Sequence, residues 1–441
     1  MIRGFRPAAA AARRFVSTAN SQTKFTTLSS GVTVATETNP NASSSTVGVY
    51  FGAGSRAETP YNNGVGALTT RTLAHGYKDG VLFSAVNTKE ANAFVAHATN
   101  ENVAGAASAL SQLVANREDL IEKSNFDASK QALYADIDRL ENTPSEMVLE
   151  HLNASAFQGH SLGLPTLGTH DSVPDIEKSD SIRFLDRNLV GSNTVIAASG
   201  NFDHDALVEV FDKEFKLADG PKPVVPPASF LGSEVRMRDD TIPKAYISIA
   251  AQGEGLSSPA YYVAKVAAAV FGSFDHNSAI AKFTSPKLAS IVQEYHIVDK
   301  YTHFSKSYSD TGLWGFNAEI SNLGGIDDFV HFTLKEWNRL SVSITDAEVA
   351  RAKAQVKTEI LANLNSTQAV VHDIATTVLL NGYRASISQA LDAIDAISTK
   401  DVRAWASAAL WDKDIVIAGT GSIEGLLDYN RSRNDMAMMR F

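Results

Sequence analysis

The chain of 441 residues carries 39 Lys and Arg against 49 Asp and Glu, a formal charge of −10, with 44% hydrophobic residues and no cysteine. That length supports a sizeable core and two or more domains, while the acidic balance excludes the basic footprint that nucleic acid demands. Disulfides, thiolate zinc sites and protein-ligated iron–sulfur clusters are excluded too, and no run of about 18 apolar residues is present to span a bilayer.

Residues 1–17 (MIRGFRPAAAAARRFVS) are rich in Ala and carry Arg3, Arg6, Arg13 and Arg14, with no acid before Glu37. That is the composition of a mitochondrial presequence, a basic segment able to form an amphipathic helix. Cleavage is expected near Val16 to Thr18, and loss of the four arginines would take the charge to −14.

Gly31 to Thr36 and Thr46 to Phe51 are β-branched-rich runs flanked by turn residues and predict strands. Helical spacing follows over Val103 to Ala115, Phe126 to Leu140 and Ser145 to Phe157. Asp219 to Ser229 (DGPKPVVPPAS) holds four prolines, cannot continue a helix and reads as an extended spacer. Beyond it Tyr246 to Ala250 predicts a strand. The apolar stretch Tyr261 to Phe271 is too short to cross a membrane and contains Lys265. Ile326 to Leu340 and Ala347 to Leu361 predict helices, the second capped by Thr345 or Asp346.

The two sides of the spacer are related. Asp180 to Asn201 can be laid on Lys400 to Ser422, each giving an amphipathic helix, a few polar residues, an apolar strand and a glycine. Ile182-Arg183 match Val402-Arg403, and Val195-Ile196-Ala197 match Val416-Ile417-Ala418, at an offset of 220 to 221. Ala128 to Ile137 corresponds to Ala350 to Ile360 at a similar offset. One element order recurring at one offset reads as an internal duplication. The expected fold is α+β, with two homologous α/β-roll halves, 18–218 and 230–441, joined by the Pro-rich linker 219–229. Each half should be a mixed sheet with helices packed on one face.

Three candidate sites fail on their own terms. Gly159-His160-Ser161-Leu162-Gly163 fits the nucleophile-elbow pattern, which needs a strand before the serine and a helix after it. A helical segment precedes it and Pro165 follows, so a loop is expected. Gly419 to Gly425 (GTGSIEG) follows a strand, but a dinucleotide site needs a further strand and an acid about 20 residues on. Only 16 residues remain, and a strand-to-helix turn is expected. Among the eleven histidines, His75, His204, His276 and His372 have no second histidine at helical spacing, and Glu150-His151 has Met147 where a zinc motif would begin.

Several stretches resemble one family in the same order. They are Val47 to Pro60 (VGVYFGAGSRAETP) leading into Asn62-Asn63-Gly64, Phe230 to Pro243 (FLGSEVRMRDDTIP), Ser305 to Phe316 (SKSYSDTGLWGF), Phe332 to Leu340 (FTLKEWNRL), and Gly419 to Phe441. Over essentially the whole mature chain they resemble the mitochondrial processing peptidase family, the inverted-zinc peptidases. Active members carry H-x-x-E-H just after the Asn-Asn-Gly. Histidines one helical turn apart grip zinc, and the glutamate activates its water. The resemblance places the first histidine at Ala67, the glutamate at Thr70, the second histidine at Arg71 and a later carboxylate ligand at Asp136. Alanine offers no lone pair, threonine is no general base, and arginine puts a permanent positive charge where a dication would sit. No catalytic residue, metal or cofactor is therefore expected, and an Arg71–Asp136 ion pair is expected in place of the metal bridge.

The family's non-catalytic peptidase partner carries a long glycine-rich loop, whereas Phe271 to Lys287 holds only Gly272. The resemblance thus implies a structural subunit that packs against a related core protein 2. Cytochrome b and the cytochrome c-type and Rieske subunits of respiratory complex III would share the assembly, with this chain peripheral to the inner membrane on its matrix side. Met436, Met438, Met439 and Phe441 are then expected at an interface. A soluble presequence-binding partner and a residual processing peptidase are the alternatives left open.

Overall fold

The computed structural model describes residues 23–437 except 75, 79, 219, 280, 284 and 285. The expected presequence, His75, the linker's Asp219, and Met438, Met439 and Phe441 lie outside the described residues.

Strands β1 (Thr23–Thr27), β2 (Thr33–Thr38) and β3 (Ser44–Phe51) lead into helix α1 (Val65–Leu73). Strands β4 (Gly76–Lys78), β5 (Val81–Asn87) and β6 (Asn92–Thr99) follow. Helices α2 (Val103–Ala115), α3 (Arg117–Lys123), α4 (Phe126–Glu141), α5 (Pro144–Ala156) and α6 (Lys178–Asn188) precede β7 (Thr194–Gly200) and α7 (His204–Glu214). After the linker come β8 (Ser233–Arg238), β9 (Ala245–Gly253), α8 (Tyr261–Phe271), β10 (Ser273–Asp275) and α9 (Lys287–Tyr295). They are followed by β11 (Lys300–Ser307), β12 (Gly312–Ile320), α10 (Ile326–Val342), α11 (Asp346–Asn363) and α12 (Thr367–Asn381). The chain continues through α13 (Ile387–Asp395), α14 (Thr399–Ala409), β13 (Ile415–Gly421) and α15 (Tyr429–Asp435).

The strands make two mixed sheets, in the orders β1-β2-β7-β3-β6-β5-β4 and β10-β11-β12-β9-β13-β8. Read backwards, the second runs β8-β13-β9-β12-β11-β10 and repeats the first from β2 onward. In each, the last strand slots between an early parallel neighbour and an antiparallel one. Ile196 of β7 pairs with Val34 and Val49, and Ala418 of β13 pairs with Val235 and Ser248. Only β1 lacks a counterpart.

Local chemistry explains the helix boundaries. Val103, Ala106, Ala107, Leu110, Leu113 and Val114 of α2 are buried at helical spacing, giving one apolar stripe. Thr345, not Asp346, caps α11, its hydroxyl taking the Glu348 N–H while the Glu348 carboxylate takes the Thr345 N–H. Pro144 opens α5 at a first-turn position where no N–H is needed.

Helices of the same half cover one face of each sheet, as expected, and an exchange covers the other. The buried face of α12 (Val370, Val371, Ile374, Ala375, Val378, Leu379) packs on Ala35, Tyr50, Ala93, Val95 and Ala197 of the first sheet. Reciprocally, α5 places Val148, Leu152 and Ala156 against Ala250, Leu313, Val416 and Ala418 of the second. Each large aliphatic side chain so buried contributes about 1.5–3 kcal/mol relative to exposure. The exchange welds the halves together.

Candidate functional site

Helix α1 begins at Gly64, whose φ of 94° is a left-handed conformation that favours glycine. A side chain there would also meet the Leu167 carbonyl at 2.8 Å. The helix start is held by Glu58, six residues upstream. Its Oε2 accepts from the Gly64 N–H and from Asn63 Nδ2, each at 2.8 Å, and its Oε1 accepts from the Gly66 N–H at 2.8 Å. A carboxylate here satisfies N–H groups that the first turn leaves unpaired. Burial pushes the Glu58 pKa up to about 7, against the pull of those three donors and of Lys89. Asn63 Nδ2 also reaches the Pro165 carbonyl at 2.9 Å. These bonds tie the start of α1 to Glu58 and to the Pro165 backbone.

Ala67 is buried in the core of the first half. Thr70 is fully buried, and its Oγ1 lies 2.7 Å from Asn87 Oδ1, 2.9 Å from the Gly66 carbonyl and 3.1 Å from the Ala67 carbonyl, three acceptors for its one proton. Arg71 Nη1 pairs with Asp136 Oδ2, joining α1 to α4. The two side chains are 28% and 29% exposed, and Arg139 lies 4.0 Å from the other Asp136 oxygen. One face of α1 therefore presents a methyl group, a satisfied hydroxyl and a guanidinium. None of the three is an imidazole ligand or a carboxylate base.

The remaining sequence candidates are structural. Ser161 lies in a single 3-10 turn, donates to the Arg56 carbonyl at 2.6 Å, and follows His160, which contacts the Pro226 carbonyl. Gly421 (φ 89°) passes so close to β9 that an added side chain would meet the Lys244 carbonyl at 2.3 Å, which is a packing reason for the glycine. His204 joins the hydroxyls of Thr26 and Thr36 through its two ring nitrogens, and His372 faces Tyr50. Met436 is buried in the core of the second half.

Two groupings escape sequence reading because their members are distant in the chain. Asp138 and Glu141 of α4 approach His170, with Asp138 Oδ1 2.9 Å and Glu141 Oε2 3.8 Å from its Nε2. All three are exposed, and the imidazole stacks on Tyr134. Where the halves meet, Arg56, only 6% exposed, fixes two carboxylates and the linker. Its Nη1 donates to Glu90 at 2.7 Å and to Asp310 at 2.8 Å, and its Nη2 to Asp310 at 2.7 Å and to the Pro226 carbonyl at 2.9 Å. Asp310 also accepts the Ala228 N–H, and Glu90 the Ser309 N–H. Although burial opposes it, hydrogen bonding to Arg56 and Ala228 holds the Asp310 pKa below the usual range. Beside this cluster Lys89 Nζ reaches Glu150 and the Leu164 carbonyl, both at 2.6 Å. Among the described residues no helix is long and apolar enough to cross a membrane.

Comparison with known proteins accounts for this geometry. Residues 33–170 match the model described as Insulinase (Peptidase family M16), and residues 175–356 match Peptidase M16 inactive domain. The Candida albicans protein named "Cytochrome b-c1 complex reductase subunit, mitochondrial" is 58% identical, with 95% of each chain covered. A chain in the structure "Complex III2 from Candida albicans, Inz-5 bound" superposes with a TM-score of 0.93, covering 94% of this chain and 100% of that one at 58% identity. "Cytochrome b-c1 complex subunit 1, mitochondrial" of Saccharomyces cerevisiae is 42% identical, covering 96% of this chain and 95% of its own. "Probable mitochondrial-processing peptidase subunit beta" of Schizosaccharomyces pombe is 38% identical over 97% and 98%. Two duplicated mixed-sheet halves, a framed α1 and these full-length likenesses lead to one conclusion: the chain belongs to the insulinase family of peptidases, M16.

Proposed function

We propose that this chain is core protein 1 of the mitochondrial ubiquinol–cytochrome c reductase, respiratory complex III. In that role it is a non-catalytic structural subunit that supports assembly and stability. The observation that carries the reading is the full-length likeness to a chain of a solved complex III at 58% identity. Its partners are then core protein 2 and the cytochrome b, cytochrome c-type and Rieske subunits, which hold the redox centres. The lack of any membrane-crossing helix among the described residues suits a peripheral position on the matrix face of the inner membrane. Residues 18–218 and 230–441 serve as its two homologous halves, with 1–17 as the import segment.

Ala67, Thr70, Arg71 and Asp136 are, in this reading, the remnants of a zinc peptidase site. The support is chemical. Arg71, paired with Asp136, occupies with positive charge the place a dication would need, Ala67 has no donor atom, and the Thr70 hydroxyl is no general base. α1 survives because Glu58 and Asn63 anchor it without metal.

The test is a native gel of gently solubilised mitochondria, probed for this chain and for haem b. Co-migration in one large complex is expected, and a chain running apart from haem overturns the assignment. Cleavage of a presequence peptide by the isolated chain in the presence of zinc would overturn the non-catalytic reading separately.

A further inference from the structure

We propose that the cleft between α5 and the β11–β12 hairpin binds a single-chain amphipathic anion, an alkyl carboxylate or alkyl phosphate. The cleft lies where the halves meet, has a volume of about 460 Å³ and opens to solvent on one side. That volume lies within the range of small-molecule sites. Leu149 and Leu152 form one wall and Phe304 and Leu313 the other, a lining suited to a hydrocarbon chain.

The charge is set by Lys306, which also lines the cleft. Its Nζ lies 5.7 Å from the centre of the Tyr308 ring, and it makes no ion pair among the described residues. Tyr308 is buried and held in place by a hydrogen bond to Asn153. The nearest opposite charge acting on Lys306 is Glu150, and Glu150 is already engaged by Lys89 at 2.6 Å. Lys306 is an exposed residue, and burial around its ammonium pushes the pKa below the usual lysine range. A lysine on the cleft wall with no carboxylate of its own is the feature an anionic head group would pair with. The apolar walls then select for a chain behind that head group.

The test is titration calorimetry of the full-length chain with decanoate, decyl phosphate, decanol and decylamine. Decanoate and decyl phosphate are expected to bind one per chain, with decanol and decylamine about tenfold weaker or worse. Lys306→Gln should erase the preference for anions, and Thr302→Trp, at the exposed rim of the cleft, should block all four. Tighter binding of the phosphate would identify phospholipid-derived anions as the source, and tighter binding of the carboxylate free acyl chains. Equal uptake of amine and carboxylate, or anion binding undiminished in both variants, overturns the proposal. If Lys306→Gln fails to fold by circular dichroism, Lys306→Arg replaces it. That variant must bind decanoate with its anion preference intact, and loss of the preference counts against the site.

Discussion

Two arginines of the first half, 15 residues apart, do different work. Arg56 is sealed between the halves, with a carboxylate from each and a linker carbonyl around it. Arg71 joins α1 to α4 within one half, through a single carboxylate, with more than a quarter of each side chain in solvent. A buried charge that loses its partner has nowhere to turn, whereas an exposed one finds water. Fold integrity therefore rests on the inter-half cluster. The Arg71–Asp136 pair holds two helices together only lightly.

This contrast is sharpest under substitution. Arg56→Met should be the most damaging change, since it strands Glu90 and the partly buried Asp310. A loss of about 4 kcal/mol is expected, read as a large fall in the urea midpoint. A loss below about 1 kcal/mol would show that solvent enters the seam and that the comparison fails.

The apolar part of the same seam gives the benchmark. Ile374 of α12 is fully buried on the first sheet, and Ile374→Ala should cost about 3 kcal/mol through lost transfer energy and the cavity left behind. If it costs more than Arg56→Met, burial rather than ion pairing dominates the contact between halves.

Glu58 extends the comparison to pH. Its folded pKa of about 7 lies above the ordinary carboxylate value of 4.5, so between these values the folded state binds more protons than the unfolded one. Stability from this group is then fully present below about pH 4.5 and is lost as pH rises towards and through 7, by on the order of 3 kcal/mol. Glu58→Gln should remove that slope. The amide it places against one of the N–H donors should cost stability at low pH, and the deficit should narrow as pH rises. Thermal melts between pH 5 and 8 read both effects, and an unchanged slope in the variant would assign it elsewhere.

Arg71→Met and Asp136→Asn should each cost about 1 kcal/mol or less, with an effect that shrinks in high salt. Added zinc should leave the melting temperature of the parent chain unmoved. A double-mutant coupling as large as the Arg56 effect would erase the distinction between the two arginines.

What the sequence made legible follows from how local each signal is. The α2 boundaries could be read from apolar spacing, and the start of α11 to within a residue from its candidate caps Thr345 and Asp346, because both depend on residues within a few positions. The duplication was visible because helix, strand and glycine recur at one offset, and the two sheets share one strand order. The Arg71–Asp136 contact was reachable only through family resemblance. Strand β12 (GLWGFNAEI) carries Gly312 and Gly315 and gives a weak strand signal, although pairing on both sides places it well inside its sheet. Glu58 was missed because it caps α1 from outside the usual capping position. The Arg56 cluster and the exchange of α5 and α12 rest on residues from opposite ends of the chain, for which no periodicity exists.

The exchange has a consequence for biosynthesis. When a ribosome has delivered the first half, the sheet face that awaits α12 is bare, and α5 has no sheet to lie on. The first stays uncovered until α12 (Thr367–Asn381) has been made, and the second until β13 (Ile415–Gly421) completes its sheet. Neither half can finish first, so native packing waits for nearly the whole polypeptide. Contacts of such long sequence separation make for slow maturation and a prolonged exposure of sticky surface. A nascent chain of this kind needs protection from aggregation until its last quarter arrives. A fragment ending at the linker should partition with chaperones or pellet rather than stand as a small soluble domain.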